Sequence, residues 1–226
     1  MDSYERICTR RELLRLGIVS TVAAIWTPRG VLWGWNQEPL PATPSTILGP
    51  FYPLHKPRDG DSDLTHIAGR RTRAQGQVLH IAGRVLNVRG TPIAGARVEL
   101  WQANAVGRYN HHSDRNPAPL DPNFQGYGVQ VTDREGRFRF TTIKPGPYPV
   151  DDVRVRSPHI HFEVTGRTDR RVTQLFFGGE PLNEQDFVLQ AAFPNRELLI
   201  ADLLAPPPDL DPQSRVIRWD IVLPNG

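Results

Sequence analysis

From Gln77 onward the apolar positions fall in short runs rich in Val, Ile, Phe and Thr, cut by glycine or proline: QVLHIAGRVLNV, then RGTPIAG, then ARVELWQA. Runs of this length and spacing predict antiparallel β structure. In ARVELWQA, Val98 and Leu100 alternate with Arg97 and Glu99, the mark of a half-buried strand, while Trp101 falls on the polar parity. VQVTDREGRFRFTTI places Phe138 and Phe140 on one face after a turn at Asp133 to Gly136 and predicts a hairpin. RVTQLFF and RVIRWDIVL supply two further strands. Between them, NEQDFVLQAAFPNRELLIADLL predicts one or two short helices, because Pro194 interrupts any long one.

Strands outnumber helices, which predicts an all-β fold: a β-sandwich with long loops and an irregular N-terminal arm. The arm is expected over residues 36–76, where EPLPATPSTILGPFYPLHKP has neither helical nor strand periodicity. The sandwich domain is expected over 77–226. Residues 1–35 read as a separate object. Arg10-Arg11 precede Leu13-Leu14 and a short apolar run from Leu16 to Trp26, similar to a twin-arginine export signal. That reading sends the protein to the periplasm or anchors it at the membrane. The alternative is a basic N-terminus on a cytoplasmic protein.

Composition narrows the chemistry. Charged residues make up 23% of 226 and the formal net charge is +3, with arginines scattered among acids, so nucleic acid is not an expected partner. The single cysteine, Cys8, excludes an internal disulfide framework and a zinc site of paired thiolates. A metal here would be held by nitrogen and oxygen.

One strand carries candidate ligands. In RSPHIHFEV, Ile160, Phe162 and Val164 share one face, so His159 and His161 stand side by side on the other, in a chelating arrangement. The longest irregular stretch, Asn104 to Gly128, holds Tyr109, and long loops inside compact domains are often functional. A second tyrosine, Tyr148, sits in the proline-locked turn TIKPGPYPV. Two other readings stay open at this point. One is a zinc-dependent hydrolase using His159, His161 and Glu163. The other is a non-catalytic binding module, since GRVLNVRGTPIAGARVELW resembles the start of carrier and cell-surface sandwich domains.

Four ordered blocks, ELWQANAVGRYNHHSDRNPAPLDPNFQGYG, TDREGRFRFTTIKPGPYPV, RSPHIHFEVTG and TQLFFGGEPL, together resemble the intradiol ring-cleavage dioxygenases, in particular their protocatechuate-type iron-bearing chains. The resemblance implies a non-haem Fe(III) held by Tyr109, Tyr148, His159 and His161, with hydroxide completing the coordination. It implies a catechol-type substrate, cleaved with O2 between its two hydroxylated carbons to a cis,cis-muconate. Tyr148 is then the ligand released when the catechol chelates, and Arg156 is the group that meets negative charge developing on the substrate. Gln174 would stand beside the metal site and Tyr52 would line the pocket. His111 and His112 are expected in the pocket wall or loop, not on the metal. Val150 replaces a tryptophan found in the protocatechuate-type chains, which makes the pocket wall smaller. In those proteins a sister chain contributes to the pocket; the sequence does not show whether this chain has such a partner, and a homo-oligomer is an open alternative.

Overall fold

The computed structural model describes residues 38–56 and 60–225. The expected export signal lies outside the described residues.

The first sheet is built on the long strand β1 (Val78–Asn87). The second begins with β2 (Arg97–Trp101) and β3 (Tyr127–Val131), which pair antiparallel. β4 (Arg137–Ile143) then returns to the first sheet and runs antiparallel to β1 over its first seven residues. A two-residue ladder joins β5 (Tyr148–Pro149) to β6 (Val155–Arg156). β7 (His159–Thr165) and β8 (Arg170–Phe177) follow in the second sheet. After a 3-10 turn at Pro181–Gln185 comes α1 (Phe187–Gln190), a second 3-10 turn at Arg196–Leu199 and β9 (Ile200–Ala201). β10 (Arg215–Arg218) and β11 (Ile221–Leu223) close the chain against β1, parallel to its first and second halves in turn. The second sheet has the order β3-β2-β7-β8-β9.

The inner faces follow the predicted parity. Ile81, Phe138 and Phe140 from the first sheet meet Leu100, Phe162 and Leu175 from the second in one buried cluster. Phe162 packs 6.3 Å from both Phe138 and Phe140 and 5.2 Å from Trp219. Truncating such a fully buried ring typically costs about 3–5 kcal/mol. Gly83 is fixed by a close approach: a Cβ there would lie 1.8 Å from the carbonyl oxygen of Trp219, at the break between β10 and β11.

The expected hairpin at Asp133 to Gly136 does not form. β3 pairs with β2 and β4 pairs with β1, so the turn carries the chain between sheets. The turn itself is well made, with Gly136 N donating to Asp133 O at 3.0 Å, but turn chemistry is local and pairing is not. Thr132 leads the chain out of the second sheet, its N donating to Ala96 O at 2.9 Å and its hydroxyl to Ile93 O at 2.7 Å. The pairing is also less uniformly antiparallel than expected, since β9, β10 and β11 all join in parallel.

The arm runs from one sheet to the other. Thr43 N donates to Val222 O on β11, and Thr46 N donates to Val172 O on β8. It thereby lays residues 47–56 over the outer face of the second sheet, where the histidines stand.

Candidate metal centre

Register assembles the floor of the site. Trp101 on β2 pairs with His161 on β7, which pairs with Gln174 on β8. All three therefore point to the outer face, which accounts for the parity of Trp101. Its indole stacks on the His161 ring at 4.9 Å with planes 14° apart. Tyr52 meets the indole edge-on at 5.0 Å, and its hydroxyl donates to Glu99 at 3.0 Å.

Glu99 and Glu163 face each other across β2 and β7, an unfavourable pairing of like charges unless each is neutralised. Glu99 accepts from Lys56 at 2.8 Å and Tyr127 at 2.7 Å and contacts Arg97. Glu163 takes a two-pronged bond from Arg170 at 2.8 and 2.9 Å. Its carboxylate is thus committed to an ion pair, and among the described residues no group of three or more His, Cys, Asp or Glu could hold a metal ion. The zinc hydrolase reading loses its third ligand.

The two histidines converge. Their Nε2 atoms lie 3.2 Å apart, and Nδ1 of His159 is 2.6 Å from Ser157 O, which assigns its proton to Nδ1 and leaves Nε2 with a free lone pair. Burial pushes both imidazoles well below the ordinary histidine range; Arg156 adds to this for His159, and His159 followed by Arg156 for His161. Both are therefore neutral at physiological pH. The Nδ1 of His161 has no protein partner, and stacking on Trp101 holds that ring.

The tyrosines arrive from two loops. Tyr109 N donates to the Asp114 carboxylate at 2.7 Å, pinning the backbone of the long loop at this tyrosine. Gly107, at φ +79°, lets that loop press against the Tyr148 turn, since a Cβ there would lie 2.1 Å from Pro147 O. The rings of Tyr109 and Tyr148 then meet edge-on at 5.4 Å, with Tyr148 5.5 Å from His159 and Tyr109 6.3 Å from His161. The hydroxyl of Tyr109 is buried without a hydrogen-bond partner. Burial raises the Tyr109 phenol well above its ordinary value, reinforced by Tyr148. Burial raises Tyr148 too, against the pull of Arg156.

Arg156 is 3% exposed and sits inside the site. Its Nε donates to Asp186 at 2.7 Å, Nη2 to Gln174 at 2.7 Å, and Nη1 lies 3.4 Å from the Tyr148 hydroxyl. Gln174 in turn donates to Ile47 O in the arm at 3.1 Å. Beside them opens a cleft of about 490 Å³, lined by Ile47, Pro50 and Phe51 of the arm, residues 113–117, the Tyr148 to Asp152 turn, Arg156 and Phe187. Val150 forms part of its wall and is 44% exposed. Tyr52 is absent from that wall, and His111 and His112 bond to Ser113 in the loop.

Two phenols and two imidazoles thus gather at one buried place, with the two Nε2 atoms 3.2 Å apart and an unpartnered phenol oxygen. Hard phenolate and neutral imidazole donors suit a ferric ion. Three contributors carried little sequence signal. Phe51 stacks on Tyr109 at 4.6 Å, Trp101 backs His161, and Asp186 holds Arg156. Only the parity of Trp101 hinted at any of them.

The model of the family described as Dioxygenase matches residues 47–225. The chain is 47% identical over 134 residues to the protocatechuate 3,4-dioxygenase beta chain of Burkholderia cepacia, covering 58% of this chain and 57% of that one. It is 32% identical to the hydroxyquinol 1,2-dioxygenase of Rhizobium sp. (strain MTP-10005) over 74% of this chain and 57% of that protein, so it spans somewhat over half the length of these relatives. Among solved structures, the dioxygenase domain of a carbohydrate-binding fusion protein from Streptomyces sp. SirexAA-E superposes with TM-score 0.61 at 26% identity, over 82% of this chain and all of that one. Catechol 1,2-dioxygenase from Acinetobacter sp. ADP1 gives 0.64 at 25% identity, over 81% and 63%. With the sandwich, the ordered motifs and the gathered donors already in place, the matches settle the kinship: the chain belongs to the intradiol ring-cleavage dioxygenase family.

Proposed function

We propose that the protein is a non-haem Fe(III) intradiol dioxygenase that opens a catechol-type ring between its two hydroxylated carbons, using O2. The observation that carries this reading is the convergence of His159 and His161 Nε2 beside the unpartnered Tyr109 hydroxyl. Tyr109, Tyr148, His159 and His161 would hold the metal. Ferric iron held there would supply a Lewis acid to chelate the two catechol oxygens and draw electron density from the ring.

The chain's own residues divide the remaining work. Neutral His159 and His161 present lone pairs without first losing a proton. Tyr148, set in a turn with Arg156 at its hydroxyl, would accept a catechol proton once it is a phenolate. Arg156 brings a permanent positive charge to the cleft, where it meets negative charge on the substrate oxygens. Phe51, Ile47 and Phe187 provide apolar surface for a flat ring. Val150 leaves space for a ring substituent. The apolar run after Arg10-Arg11 supports an exported location.

The test is optical and chemical. The purified protein should be red to burgundy from phenolate-to-iron charge transfer, carry stoichiometric iron and consume O2 with catechols. Tyr109→Phe should weaken the colour. A colourless protein with stoichiometric zinc would overturn the proposal.

A further inference from the structure

Asp186 stands immediately before α1, is fully buried, and has both carboxylate oxygens committed. Oδ1 accepts from Val188 N and Leu189 N at 3.0 Å each. Oδ2 accepts from Arg156 Nε at 2.7 Å and Ser157 N at 3.0 Å. One side chain therefore fixes the start of the helix, the backbone at Ser157 whose carbonyl orients His159, and the direction of a guanidinium.

The guanidinium is a rigid planar fork, so holding two of its nitrogens aims the third. Nε is held by Asp186 and Nη2 by Gln174, which turns Nη1 toward the Tyr148 hydroxyl. Phe187, the residue after Asp186, lies 5.2 Å from the centre of that guanidinium and lines the same cleft. A buried arginine without a counter-charge carries a desolvation cost that favours swinging it out or unfolding the site. Gln174 offers a dipole only. Asp186 is the only carboxylate in a salt bridge with Arg156 among the described residues.

We infer that Asp186 is a positioning residue: its carboxylate holds Arg156 so that the cationic edge faces Tyr148 and the substrate cleft. The inference rests on the proposed ring-cleaving function for its kinetic consequence, but its geometric content can be measured without metal. Asn at position 186 can keep an oxygen for the helix cap while removing the charge and setting an amide against the Arg156 Nε–H.

The experiment compares Asp186→Asn, Arg156→Leu and the double variant with the unaltered protein. Three readouts are taken: catechol turnover, the ferric-phenolate band, and the nitrogen-15 NMR signal of the Arg156 Nε–H in metal-free protein, assigned by its absence from Arg156→Leu. D186N should keep the iron band, lose turnover by roughly tenfold to a hundredfold, and lose or strongly shift the Nε–H signal. Because Asp186 acts through Arg156, the double variant should be no worse than R156L alone. Unchanged turnover with an unchanged Nε–H signal overturns the inference, as does a double variant that loses the product of the two single losses. Should D186N fail to fold, a folded double variant supports the coupling, since both buried charges are then gone. A double variant that also fails to fold assigns Asp186 to the helix cap and overturns it. If the unaltered protein opens no catechol, the proposed function fails, and the NMR comparison still decides the role of Asp186.

Discussion

Nη1 of Arg156 lies 3.4 Å from the hydroxyl of Tyr148, so the edge of the guanidinium left over by Asp186 and Gln174 faces that tyrosine. Arginine stays charged throughout, which rules out a proton relay and leaves charge stabilisation as its chemistry. Replacing Arg156 with leucine removes the charge and leaves all four donors. Turnover of catechols should fall about a hundredfold or more, with iron content and colour retained. Oxygen uptake and the visible band measured on one preparation check this; loss of iron would instead show Arg156 to hold the histidine strand.

Gly107 sets the meeting of the two tyrosine loops. Alanine there meets both a positive φ and a carbonyl oxygen 2.1 Å from its Cβ. Gly107→Ala should lower stability by about 1–3 kcal/mol and reduce iron occupancy as Tyr109 is pushed from Tyr148. Urea unfolding and metal analysis report the two effects separately, and an iron-replete variant would mean the loop tolerates the shift.

Val150 leaves part of the cleft open. Val150→Trp should fill it, raising KM for catechols with bulky ring substituents by about tenfold or more while changing catechol itself little. The ratio of kcat/KM for substituted and unsubstituted catechols is the measurement. An unchanged ratio would place the substituent elsewhere.

Arg10 and Arg11 precede a short apolar run. Changing both to lysine should hold the protein in the cytoplasm of a bacterial host with the twin-arginine export route. Fractionation of the periplasm decides; unaltered partitioning rejects the signal.

Only the pairing of His159 with His161 was legible from local pattern; Tyr109 and Tyr148 entered as donors through the resemblance of their blocks to the family. Period-two alternation alone puts His159 opposite Phe162, and the prolines around Tyr148 mark a rigid turn. What alternation cannot show is which strand becomes the neighbour. The turn at Asp133 to Gly136 looks like a hairpin and joins two sheets, because β3 and β4 each find a better partner far away in sequence. Trp101 broke its own strand's pattern for a reason visible only in register: the outer face is roofed by the arm. Asp186 had no signal at all. It lies 30 residues from Arg156, and only the folded chain brings them together.

The arm contributes no donor, yet it supplies the stacking partner of Tyr109, the carbonyl that anchors Gln174, and Gly49, whose position leaves only 3.2 Å between a notional Cβ and the His161 ring. The two tyrosines and two histidines and the cover laid over them therefore have separate origins in the chain. A fragment cut just ahead of the first strand would retain Tyr109, Tyr148, His159 and His161 but lack this cover, and would also lose Leu64 from the buried core. Residues 40–56 are accordingly a cassette, a segment to exchange between relatives to change the cover over Tyr109 and His161 while leaving both side chains in place.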